Sequence, residues 1–110
     1  MLEAYVVSKQ LIETLAPIVP VIARHDRDLA AQLTRAASSV LLNIGEGERR
    51  AGGDRRRFFQ IASGSASEVR AVLDAAQAWG WVLDDKEARS HLDRVLALLW
   101  GLVHGKRSAR

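Results

Sequence analysis

The stretch Leu29–Phe59, LAAQLTRAASSVLLNIGEGERRAGGDRRRFF, decides how this chain is read. Leu29, Leu33, Ala36, Val40 and Ile44 recur every three or four residues, which is the apolar stripe of an amphipathic helix, and Ala37 and Leu41 widen it. On the opposite flank Gln32, Arg35, Ser39, Asn43 and Glu46 form a polar line. Gly47 is expected to end this helix, because glycine takes a left-handed C-terminal conformation without steric penalty. Gly52-Gly53-Asp54 then reads as a turn whose aspartate caps the next helix. The five arginines Arg49, Arg50, Arg55, Arg56 and Arg57 crowd around that break.

Working outward, the same periodicity predicts four helices, over about residues 2–23, 27–46, 54–79 and 85–104. In the first, Leu11, Leu15, Ile18 and Ile22 make a seam that Pro17 and Pro20 interrupt, since each proline removes a backbone donor and clashes with the preceding turn. A kink or an early end with a short turn is expected there. Asp26 is the expected N-cap of the second helix. The third carries Phe58, Ala62, Ser65, Val69, Val72, Ala76 and Trp79 as its seam, with Phe59, Ala66 and Leu73 alongside, and Gly80 closes it with Trp81 placed for a Schellman contact. The fourth presents Ala88, Leu92, Val95, Leu99 and Leu102, and the basic tail Gly105–Arg110 is expected to fray. Helices joined by short links predict an all-α, up-down-up-down antiparallel four-helix bundle forming a single domain over residues 1–110. Several apolar stripes are wider than one packing face requires, which predicts self-association, the alternative being scattered exposed aliphatics.

Composition limits the functional classes. The chain has no cysteine, so disulfides and thiolate metal sites are excluded. No basic leader precedes an apolar run in MLEAYVV, and no apolar stretch approaches the roughly 18 residues of a membrane span, so a cytoplasmic location without membrane contact is expected. His25, His91 and His104 never fall in pairs at helical spacing, and the paired Glu-x-x-His motifs of a di-iron bundle are missing. GEGERRAGG lacks the lysine of a phosphate-binding P-loop and follows no strand. The residues therefore predict no catalytic group, no metal and no cofactor.

Two groups of residues remain. Asn43 and Glu46, with Ser65 or Glu68 of the next helix, are candidates for a buried polar network that fixes helix register or a subunit contact; the alternative is a solvated face near a helix end. Thirteen of the sixteen Lys and Arg residues are arginine, and Arg49, Arg50, Arg55, Arg56 and Arg57 lie within nine positions. Cations in the first turn of a helix oppose its macrodipole, so something beyond that helix should benefit from them. Guanidinium groups beside free helix amides suit phosphate, and without interleaved aromatics any nucleic-acid binding should be directed at the backbone. An acidic protein partner and a solvated loop are the competing readings.

The series Gln32-Leu33-Thr34-Arg35-Ala36-Ala37, Ser39-Val40, Asn43-Ile44-Gly45-Glu46-Gly47, Arg49-Arg50, Phe58-Phe59, Ile61-Ala62, Gly64-Ser65 and Glu68 resembles the four-helix-bundle proteins encoded in intervening sequences of bacterial 23S rRNA genes. The resemblance implies a homopentameric ring of up-down bundles. The chain departs from that family at Gly45, where alanine is usual, and at Gly53-Asp54-Arg55-Arg56, where a Ser-x-x-Glu helix start is usual. The second departure makes the junction more basic.

Overall fold

The computed structural model describes residues 1–82 and 84–105. It holds five helices: α1 (Glu3–Leu15), α2 (Val19–Ala23), α3 (Arg27–Glu48), α4 (Gly52–Ala78) and α5 (Lys86–His104). No strand occurs among the described residues. The expected first helix is thus two. The chain turns at Ala16–Ile18, where Pro17 has no amide to donate, and Pro20 sits in the first turn of α2, where none is needed. The break does not disturb the seam, since Leu11, Leu15, Ile18 and Ile22 are all buried.

Contacts at both ends of each pair fix the helix directions. Tyr5 of α1 lies against Gly45 of α3, while Ile12 and Leu15 share a groove with Leu33 and Ala37, so these two helices run antiparallel. Ser39 meets Ser65 near mid-helix and Gly47 meets Phe59 near the junction, which makes α3 and α4 antiparallel. Arg70–Asp93 and Asp74–Arg89 ion pairs do the same for α4 and α5. Helices α1 and α4 each pack on α3 and α5, and α3 packs on α2 as well. The bundle is 48 Å long and about 20 Å across, and its axis is filled by Leu11, Leu15, Leu33, Val40, Ile44, Phe59, Val69, Leu73, Leu92 and Leu99, all 2% exposed or less.

Asp26 caps α3 as expected, its carboxylate accepting from the Leu29 amide at 3.0 Å. Gly80, at φ 81°, and Trp81 close α4 in a Schellman motif: the Trp81 amide donates to Ala76 O and the Gly80 amide to Gln77 O, each at 2.9 Å. Other boundaries differ from expectation. Helix α3 continues through Gly47 to Glu48, and the left-handed glycines are Gly52 (φ 61°) and Gly80. Gly52, Gly53 and Asp54 belong to α4, whose N-cap is Ala51; Asp54 makes no capping bond and pairs with Arg50 instead. On α4 the buried aromatic is Phe59, with Phe58 half-buried, and Trp79 is 70% exposed. The seam has drifted around α4 because a strict four-three repeat does not match 3.6 residues per turn over 27 residues. Residues 106–110 of the tail expected to fray lie outside those described. Among the described residues no helix is long and apolar enough to cross a membrane.

Candidate functional site

The end of the bundle where α3 turns into α4 gathers the five arginines, and their positions are unequal. Glu46, in the last turn of α3, holds two of them on opposite oxygens of one carboxylate. Arg49 Nη2 donates to Oε1 at 2.5 Å, and Arg50 reaches Oε2 through Nε at 2.9 Å and Nη2 at 2.8 Å. Arg50 also pairs with Asp54 at 3.1 Å. The hydrogen bond from Arg50 holds the Glu46 carboxyl below the usual glutamate range, against a smaller opposing effect of burial, and the charges of Arg49 and Arg50 add to the lowering. The same bond raises the Arg50 guanidinium further above its ordinary value.

Arg55 has a different task. It stands in the first turn of α4, yet its Nη1 reaches back 3.3 Å to the carbonyls of both Gly47 and Glu48. Those carbonyls belong to the last turn of α3, whose dipole end is negative and lacks intrahelical donors. The cation that opposes one helix therefore completes another. Its guanidinium also lies 4.9 Å from the Phe59 ring centroid, a pairing that the i, i+4 spacing of Arg55 and Phe59 encodes. Arg56 and Arg57 are exposed and form no ion pair with the described residues. Arg57 and Arg50 both lie near the half-buried Phe58, at 5.7 and 5.2 Å from its ring centroid. No side chain caps α4, so its first amides remain open beside these groups.

The predicted polar network forms in part. Ser39 Oγ and Ser65 Oγ are 2.8 Å apart across α3 and α4, and Asn43 Nδ2 donates to Ser39 O at 2.9 Å and to Ser39 Oγ at 3.0 Å. The group is half-buried and registers the two helices. Glu46 is excluded from it because the arginines hold its carboxylate, and Glu68 is exposed on α4 with no side-chain bond among the described residues. Gly47 contributes through its lack of a side chain, since a Cβ there would meet Cε1 of Phe59 at 2.7 Å.

The opposite end of the bundle holds features that sequence reading missed. His25 stacks on Trp81 at 4.9 Å and Trp79 stacks on Trp81 at 5.7 Å, tying the link before α3 to the link after α4. Nearby, the buried Asp85 lies 3.0 Å from Arg89 Nε, and Arg89 donates to Asp74 at 2.9 Å. Burial opposes the Arg89 charge, but Asp74 and Asp85 outweigh it and raise its pKa. His104 stacks on Trp100 at 4.5 Å, on α5. His25 and His104 thus lie at opposite ends of the bundle, and no three His, Asp or Glu side chains are grouped as a metal site would need among the described residues.

The model of the family described as 23S rRNA-intervening sequence protein matches residues 2–101. A solved structure from Bacteroides thetaiotaomicron, of a protein with unknown function from the S23 ribosomal protein family, superposes with a TM-score of 0.82 at 15% identity. The alignment covers 92% of this chain and 98% of that one, a likeness of fold. Among curated proteins none matches the chain significantly.

Proposed function

The chain belongs to the 23S rRNA-intervening sequence protein family, and from that premise we propose a non-enzymatic, homo-oligomeric helical bundle that binds RNA through its phosphates at the α3–α4 junction. The observation that carries the reading is the pair Arg56 and Arg57, exposed in the second turn of α4, without ion-pair partners among the described residues and one turn from its uncapped amides. An anion placed there meets guanidinium donors and the positive end of the helix dipole together. Arg49 and Arg50 border the same surface, while Arg55 is held on the carbonyls of α3. At the junction itself neither phenylalanine offers an open face, because Phe59 is buried and Phe58 is flanked by Arg50 and Arg57. Recognition is therefore of the backbone, with little preference for base sequence.

Oligomerisation, in the pentameric ring that the resemblance implies, is supported by apolar surface that the single bundle leaves uncovered. Leu42 on α3 is 68% exposed and Ile61 on α4 is 41% exposed. Gly64 lies within α4 with nothing within 4 Å of a Cβ built there. A glycine inside a helix costs about 1 kcal/mol relative to alanine, and no contact among the described residues accounts for it. Ile61, Gly64 and Glu68 share one outward face by their spacing, where a second copy has room to approach.

Binding of RNA at several salt concentrations tests the reading. Wild type should bind a labelled RNA hairpin with log affinity falling by about 0.7 to 0.9 per phosphate engaged against log salt. Arg56→Gln/Arg57→Gln should weaken binding and flatten that slope. Equal binding by wild type, by this double variant and by a variant with all five arginines changed to glutamine would sink the proposal. If an acidic protein is the true partner, capture from the host lysate will survive nuclease treatment.

A further inference from the structure

We infer that Glu46 is an internal competitor for phosphate, occupying Arg49 and Arg50 until an RNA backbone displaces it. This rests on the RNA reading and deepens it. One carboxylate presents two oxygens to two guanidinium groups, Oε1 to Arg49 and Oε2 to Arg50, with donor distances of 2.5 to 2.9 Å. Two oxygens of a phosphodiester present a similar arrangement of acceptors, so the seat filled by Glu46 is one that a phosphate fits.

The competitor is held there by the chain itself. Glu46 is on the last turn of α3, and Arg49 and Arg50 follow at i+3 and i+4, the spacings that bring side chains together on a helix. Asp54 takes Arg50 from the other side. Arg55 is engaged on backbone carbonyls and cannot exchange without uncovering the end of α3. The five arginines thus divide into three kinds. Arg56 and Arg57 are open from the start, Arg49 and Arg50 are available only by exchange, and Arg55 is structural.

The division has a measurable signature. Bound RNA should draw mainly on Arg56 and Arg57 in the wild type, and on four arginines once the Glu46 charge is removed. Glu46→Gln should tighten binding of a fluorescein-labelled RNA hairpin roughly three- to tenfold, the scale of two exposed ion pairs released. It should steepen the log affinity against log salt slope by about 1.4 to 1.8, two further phosphates. The charge-matched control is Glu48→Gln, because the Glu48 carboxylate pairs with the N-terminal ammonium at 3.8 Å and with no arginine among the described residues. It should change affinity much less.

A cycle sharpens the test. Arg49→Gln/Arg50→Gln should be nearly silent in the wild-type background but should cancel the gain in the Glu46→Gln background. Circular dichroism spectra that superpose keep loss of folding out of the comparison. The inference is overturned if Glu46→Gln binds no more tightly than Glu48→Gln, or if the arginine substitutions have the same effect in both backgrounds. In either case the RNA reading stands so long as Arg56→Gln/Arg57→Gln still weakens binding; if that variant and the one with all five arginines changed to glutamine both bind like wild type, both fail.

Discussion

Gly47 of α3 and Phe59 of α4 approach so closely that a Cβ on the glycine would stand 2.7 Å from Cε1 and 2.9 Å from Cδ1 of the ring, with Phe58 Cβ at 3.2 Å. The ring is 1% exposed and cannot swing aside into solvent. Gly47→Ala should therefore lower stability by about 1 to 2 kcal/mol, the penalty of overpacking less the gain in helix propensity. Urea unfolding followed by circular dichroism measures this, and an unchanged or raised midpoint would show that the helices separate without penalty.

Gly45, two residues earlier, predicts the opposite sign. A Cβ there meets Tyr5 Cε1 at 3.3 Å, and Tyr5 is only half-buried, so the ring can give by a few tenths of an ångström. Gly45→Ala should raise stability by up to about 1 kcal/mol, the helix-propensity difference. Melting curves of the two alanine variants should move in opposite directions from the wild type.

Acid should weaken the junction in a defined window. The Glu46 carboxyl is depressed in the folded chain by its hydrogen bond from Arg50, so its contribution is fully present above the unfolded glutamate pKa of about 4.3. That contribution is lost as pH falls through the lower folded value. Wild type should exceed Glu46→Gln in stability at neutral pH, and the two should converge below the ordinary glutamate range. The difference should shrink with added salt, since the pair is partly exposed to solvent. Constant separation of the two stability profiles down to strong acid would contradict this assignment.

At the far end, Asp85 is 6% exposed whereas the Asp74 side chain is 60% exposed, although both hold Arg89. Asp85→Asn strips the buried partner from a partly buried guanidinium and should destabilise by about 1 to 3 kcal/mol. Asp74→Asn removes a solvated partner and should cost less than about 1 kcal/mol. Equal losses in urea unfolding would show that the burial of Asp85 is immaterial.

Helix direction and most of the core could be read from the sequence because a stripe at three- and four-residue spacing has one physical solution, although the first expected helix is divided at Ala16–Ile18. Leu33, Val40, Ile44, Leu92 and Leu99 are where their spacing placed them. Glycine was the source of error at the junction. Gly47 serves close packing inside α3, a tertiary requirement that carries no local signature, whereas Gly80 closes α4 in the conformation its position announced. The arginines were legible as a group and not as individuals. That Arg55 opposes the dipole of α4 follows from the sequence, but that it satisfies the carbonyls of α3 depends on how sharply the chain turns at Arg49–Ala51. The stack of His25, Trp81 and Trp79 joins residues far apart in the chain, beyond the reach of periodicity.

The three-residue link between α3 and α4 also governs the order of assembly. The most extensive packing in the molecule closes a very short loop, so the hairpin of these helices forms at little loss of chain entropy. The α1–α5 contact, where Glu3 meets Arg94 across 91 positions, must wait for the rest of the chain. Folding should therefore nucleate at the junction that carries the arginines. Weakening Phe59 should slow refolding, and weakening the Glu3–Arg94 pair should chiefly speed unfolding.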